Sequence, residues 1–135
     1  MLAYWGQLGG AWEFAEGSGA FWKQHYPRRT PEGNLLISTW VDSDNQEMVA
    51  REYEIDEENQ VLREVWSCGQ GSGTEAGAAG EAHRLPGGNT LHNYGSTARL
   101  REATPDGTVV WDVAWDRATF IGRSEVIADL YALWP

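Results

Sequence analysis

The stretch "GEAHRLPGGNTLHNYG", Gly80 to Gly95, says again what "KQHYPRRTPEGNLLISTW", Lys23 to Trp40, has already said: a histidine, a Pro-x-Gly-Asn turn, then an apolar strand. Laying Pro86-Gly87-Gly88-Asn89 over Pro31-Glu32-Gly33-Asn34 gives an offset of 55, the difference between 86 and 31. Further on, "EYEIDEENQVLREVW" from Glu52 lies over "LREATPDGTVVWDVA" from Leu100 at an offset of 48. The shortfall of 7 is an insertion in the first copy, at "DSDNQEM" between two strands. A repeat of this length is first a statement about architecture.

Each copy reads as strand, Pro-x-Gly-Asn hairpin, strand, linker, strand, second turn and closing strand. The second turns are "DEEN" and "TPDG", and the closing strands are "QVLREVW" and "TVVWDVAW", the latter with Val109, Trp111, Val113 and Trp115 expected on one face. A four-stranded unit of about 40–50 residues, repeated, predicts an all-β chain of β-propeller blades. The expected organisation is a closing strand over residues 1–10, one blade over 11–68, a second over 69–116 and a tail over 117–135. Two blades do not close a ring, so the pattern predicts either part of a larger ring or self-association, with Met1 to Leu8 strapping a neighbouring blade. A β-sandwich built from the same strands is the alternative.

Composition fits that fold. Of 135 residues, 41% are hydrophobic, enough for a packed core, and eight tryptophans with sixteen glycines suit aromatic strands joined by tight turns. A net charge of -10 with no cluster of Lys or Arg argues against nucleic acid or an acidic membrane surface as partner. No apolar run reaches the roughly 18 residues of a membrane span, and the N-terminus lacks the pattern of a signal peptide. The single cysteine, Cys68, excludes an internal disulfide and suits a buried thiol.

Two segments carry a resemblance: "GSGAFWKQHYPRRTPEGN" and "AHRLPGGNTLHNYGSTARLREATPDG", with the terminal "ADLYALWP" behind them. Over nearly its whole length the chain resembles the C-terminal half of the arylsulfotransferase-like proteins, which are six-bladed β-propellers. That resemblance implies sulfuryl transfer from a phenolic sulfate ester to a phenolic acceptor, with no cofactor and no metal, and an exported or periplasmic setting. It implies inner-strand histidines converging on a channel, matched here by His25 and His83, and an arginine holding the sulfate oxygens, matched by Arg99 with Arg101 as second choice. Trp22, Tyr26, Tyr94 and Arg101 are the residues expected to line the phenolic substrate.

The chemistry is coherent, since a neutral imidazole carries a leaving group without a metal and a guanidinium presents a planar fork to sulfate oxygens. The competing reading is that each histidine only bonds a neighbouring strand and that the chain is a non-catalytic module binding a ligand or a protein. His92, on the other strand of its hairpin and without a histidine counterpart, reads as structural. The run "CGQGSGTEAGAAGEA" from Cys68 reads as a connector, or as a backbone nest for an anion. Trp12, Phe14, Phe21 and Trp22 read as packing residues by default, with a pocket for a flat substrate as the alternative. "DSDNQE" lacks the glycine and bidentate glutamate of a calcium loop and reads as a solvated hairpin tip. No phosphate loop, nucleophile elbow or HExxH is present, which leaves nucleotide hydrolysis, serine hydrolysis and zinc proteolysis without support.

Overall fold

A computed structural model describes residues 11–116 and 120–127. The chain is all-β, with nine strands and a single turn of 3-10 helix, Gly95–Thr97, among the described residues. In chain order the strands are β1 (Glu13–Phe14), β2 (Trp22–Arg29), β3 (Leu35–Trp40), β4 (Met48–Asp56), β5 (Val61–Cys68), β6 (Glu81–Arg84), β7 (Thr90–Asn93), β8 (Arg99–Ala103) and β9 (Val109–Ala114). They form two sheets, ordered β1-β5-β4-β3-β2 and β6-β7-β8-β9. Strands β2–β5 and β6–β9 are two up-and-down antiparallel meanders, while β1 adds to the outer edge of β5 in parallel. No described helix is long and apolar enough to cross a membrane.

The repeat is structural as well as lexical. In the first hairpin Thr30 N–H bonds Asn34 O and Gly33 N–H bonds Thr30 O; in the second, Leu85 and Gly88 make the same pair of bonds to Asn89 and Leu85. The turn "TPDG" repeats it a third time, with Thr104 bonded to Thr108 and Gly107 to Thr104. Proline presets the first turn residue, and the position two beyond it needs a positive φ, which is why Gly33, Gly88 and Gly107 stand there at +90°, +90° and +85°.

Strand pairing refines the alignment. Leu36 faces Glu52 and Leu91 faces Glu102, so the third strands correspond at an offset of 50, not 48. Glu52 faces Trp66 and Glu102 faces Trp111, so the fourth strands correspond at 45. Both meanders carry a bulge at this point, which leaves Val65 and Val110 unpaired and exposed. That bulge turns Val109 away from the face shared by Trp111 and Val113, which departs from the single stripe expected of the closing strand.

The sheets pack face to face through β6, which lies against β2 and β3. Leu36 and Ala50 of the first sheet meet Ala82 of the second, with Trp66 beside them. Arg84 pairs with Glu52 and lies 4.7 Å over the ring of Trp66, whose indole N–H bonds Pro105 O at 2.8 Å. Such a buried ion pair is satisfied because Asn34 also donates to Glu52 at 2.8 Å. The opposite face of the first sheet buries Leu35, Ile37, Tyr53 and Leu62 under Trp12, with Phe14 and Phe21 packed against them. These aromatics are therefore core, and the pocket they were alternatively expected to line is not formed by them. Residues 1–10, including the expected strap from Met1 to Leu8, lie outside the described residues.

Candidate functional site

Cross-strand partners share a face and successive residues alternate, so the register assigns each side chain of the second sheet. Ala82, Arg84, Thr90, His92, Arg99 and Arg101 point toward the first sheet. Glu81, His83, Leu91, Asn93, Glu102 and Trp111 lie on the other face.

His83 is 4% exposed and both ring nitrogens are engaged. Its Nδ1 lies 3.1 Å from Nη1 of Arg28, which reaches round the edge strand β6 from β2. A guanidinium only donates, so Nδ1 is the lone-pair nitrogen and Nε2 carries the proton. That Nε2 faces Glu81 Oε2 at 3.5 Å and Ser124 Oγ at 3.3 Å. Burial pushes the imidazole below its ordinary pKa, Glu81 offsets part of this, and Arg28 and Arg123 add to it, so the ring is neutral at neutral pH.

Glu81 anchors the group. Its Oε2 accepts from Ser124 N–H at 2.5 Å, Ser124 Oγ at 2.6 Å and Asn93 Nδ2 at 3.4 Å. Burial pushes its pKa up, but the bonds from Ser124, His83 and Asn93 outweigh it and the net shift is downward. Although serine, histidine and glutamate meet here, they are not a nucleophilic triad. The proton on Nε2 and the direct bond from Ser124 Oγ to Glu81 leave His83 no lone pair aimed at the hydroxyl.

Tyr26 completes one wall, its ring 5.4 Å from that of His83 and 4.9 Å from the Arg28 guanidinium. It stands at φ +51° where β2 changes register twice, the kind of backbone strain that accompanies re-aimed side chains. Arg28 also lines a cleft of about 480 Å³, with Arg29 and Arg84 among others, on the side of β6 away from His83. Among the described residues no carboxylate pairs with Arg28, in a chain of net charge -10.

The expected set is thus brought together only in part. His83 and Tyr26 are neighbours. His25 is half-exposed opposite Ser38, and its side chain makes no hydrogen bond or ion pair among the described residues. The residue in register with His83 is Arg28, 55 positions earlier, since Arg28 faces Leu36 as His83 faces Leu91; His25 lies three residues before that place. Arg99 and Arg101 lie on the opposite face and clamp Asp112 with bonds of 2.5–2.9 Å. Arg101 also bonds Thr74 at 2.9 Å and lies 5.2 Å over Tyr94, which is buried with Trp40, Met48 and Ala76. Trp22 is an exposed residue at the far end of β2, its N–H bonded to Thr39 Oγ1 at 2.6 Å. The role expected of Arg99 falls geometrically to Arg28, which the Pro-x-Gly-Asn alignment itself places over His83.

Other expectations resolve locally. His92 is buried between the sheets, 2.8 Å from Ser38 Oγ and 4.1 Å from the Tyr94 ring, and burial, with Arg101 adding, lowers its pKa to about 3. The glycine-rich run does form an anion nest, and its anion is the chain's own Glu47. The carboxylate accepts from Gly71 N–H at 3.0 Å and Gly73 N–H at 2.6 Å. Asp42 Oδ1 accepts from the backbone of Asp44 and Asn45, a self-satisfied hairpin tip. Among the described residues no group of three or more His, Cys, Asp or Glu could hold a metal. Cys68 is half-buried and free, with burial raising its pKa.

No family model and no curated protein matches the chain. A solved structure of a protein of unknown function from Bacteroides caccae is similar, with a TM-score of 0.47 and 20% identity. The match covers 67% of this chain and 31% of that one, so the chain spans about a third of that protein's length.

Proposed function

We propose that the two meanders are adjacent blades of a β-propeller of arylsulfotransferase type and that the Arg28–His83 pair receives the sulfuryl end of an aryl sulfate. The observation that carries this reading is the Nη1–Nδ1 contact of 3.1 Å between residues holding equivalent places on the inner strands of the two repeats. The cleft that Arg28 lines gives the anion a place to arrive.

On binding, the sulfate oxygens take over the guanidinium of Arg28, a stronger acceptor set than a neutral imidazole. This frees the Nδ1 lone pair beside the sulfur. Nδ1 attacks, an S–N bond forms as the S–O ester bond breaks, and a phenolate leaves. The sulfo-imidazolium so formed keeps its proton on Nε2, where Glu81 stabilises the new positive charge. A phenolic acceptor then attacks sulfur, its proton passing to the released phenolate or to water, and the S–N bond breaks, returning His83 to the neutral state. Tyr26 supplies a ring against which the phenyl group stacks.

The test is 4-nitrophenol release from 4-nitrophenyl sulfate in the presence of phenol. His83→Ala abolishes turnover, and Glu81→Gln lowers kcat with little change in KM. Arg28→Ala raises KM. Turnover unchanged by His83→Ala overturns the reading. A second reading, a non-catalytic module, is favoured by the deep burial of His83 with both nitrogens engaged. It predicts binding of the aryl sulfate without release of phenol.

A further inference from the structure

The contact between the two sheets has a receiving half and a donating half. The receiving half, on the first sheet, is Glu52, held by Asn34, with Trp66 directly across the strand pair and Leu36 beneath. The donating half is the β6 edge: Arg84 enters between Glu52 and Trp66, and Ala82 covers Leu36, leaving it 1% exposed.

The second sheet builds the receiving half again. Glu102 accepts from Asn89 Nδ2 at 2.6 Å, faces Trp111 in register and shares its face with Leu91. Here the seat is open among the described residues. Trp111 is 43% exposed, and neither it nor the second carboxylate oxygen of Glu102 has taken up a partner. Among the described residues, Ser124 overlies the far end of the face, beside Glu81 and Asn93.

The first sheet likewise carries an unused donating half. Arg29 corresponds to Arg84 at the offset of 55, and each bonds the carbonyl of its turn glycine, Gly33 or Gly88. The Arg29 side chain is 60% exposed, with a carboxylate no nearer than Glu57 at 4.0 Å. Strand β2 exposes Pro27 and Arg29, whereas its counterpart β6 is buried. Trp12 covers Leu35 and Ile37 on that side of the first sheet, and the Pro27–Arg29 edge stays clear of it.

We propose that Glu102, Trp111 and Leu91 seat a second copy of this chain, whose Arg29 enters between Glu102 and Trp111 as Arg84 enters between Glu52 and Trp66. Two different patches meet, so the contact is heterologous, and it closes into a ring or runs on as a filament. The occupant is a second copy because its donating edge matches the seat in residue type, spacing and charge. The inference rests on reading the meanders as blades and uses neither His83 nor Arg28; because Arg29 also lines the cleft, ester binding is compared in Glu102→Arg, which leaves the cleft lining unchanged.

Light scattering on a size-exclusion column, over a hundredfold range of concentration, tests this. The chain of 15.0 kDa is expected to run as a defined multiple where the contact closes, and as species that grow with concentration where it does not. Arg29→Glu and Glu102→Arg each weaken assembly at least tenfold, and the double variant R29E/E102R restores it. Trp111→Ser weakens it with circular dichroism unchanged. A 15.0 kDa species at every concentration overturns the proposal, as do single variants that assemble like the parent or a folded double variant that fails to recover. Binding of 4-nitrophenyl sulfate, followed in the same samples, separates the two readings: monomers that bind it sink the docking alone, and multimers that do not sink the sulfuryl reading alone.

Discussion

Arg28 Nη1 lies 3.1 Å from His83 Nδ1, and these two residues stand at the same place in two copies of one repeat. A duplicated position has therefore become a pair, one copy keeping the imidazole and the other the cation. The contact fixes the tautomer of His83 and sets Glu81 behind the protonated nitrogen.

Arg28→Lys tests whether the fork matters. A lysine keeps the charge but presents no planar pair of donors, so affinity for 4-nitrophenyl sulfate falls about tenfold or more by calorimetry. Equal affinity reduces Arg28 to a point charge.

The lock between the sheets gives a second prediction. Arg84→Ala leaves Glu52 buried without its cation and costs about 3–5 kcal/mol in chemical denaturation. The double variant R84A/E52Q removes the stranded charge and recovers a large part of that loss. Additive losses would show that the two residues act independently.

His92 gives a dependence on pH. Its pKa is about 3 in the folded chain against an ordinary 6.5, so the unfolded state binds the proton first. Stability is full above pH 6.5 and falls as the pH drops toward 3, by at most about 1.4 kcal/mol per pH unit from this group. His92→Gln, which keeps a polar partner for Ser38, flattens that slope between pH 6.5 and pH 3. An unchanged slope would assign acid sensitivity to the carboxylates.

Gly33 and Gly95 separate two reasons for glycine. Gly33 stands at φ +90° with open space where a Cβ would point, so Gly33→Ala costs about 1 kcal/mol of backbone strain. Gly95 stands at φ +51°, and an added Cβ would lie 1.7 Å from Ala79 O. Gly95→Ala is therefore several times more damaging in thermal unfolding, and equal losses would contradict the packing of the linker on this turn.

Much of this was legible in advance. The Pro-x-Gly-Asn phrases gave both hairpins because their turn chemistry is local, and the all-β class followed from strand spacing. A single offset of 48 misses the third and fourth strands by two and three residues because the β4–β5 hairpin, from Tyr53 to Glu64, is five residues longer than the β8–β9 hairpin, from Ala103 to Val109, while the bulge at Val65 and Val110 is common to both. His83 is identifiable from the sequence as a candidate, whereas the arginine the sequence points to is Arg99 and not Arg28. Counting back from the Pro-x-Gly-Asn turn puts Arg28, not His25, at the place His83 holds, and which face each side chain takes depends on that register. Ser124 carries no local signal, since its contact with Glu81 spans 43 residues.

The most direct measurement is the nitrogen-15 spectrum of the His83 imidazole with and without 4-nitrophenyl sulfate. The account predicts a neutral ring protonated at Nε2 in the free chain, and a Nδ1 resonance that shifts on adding the sulfate ester as Arg28 leaves it. That shift should be missing in Arg28→Ala. A ring protonated at Nδ1, or a Nδ1 resonance indifferent to the ester, would contradict it.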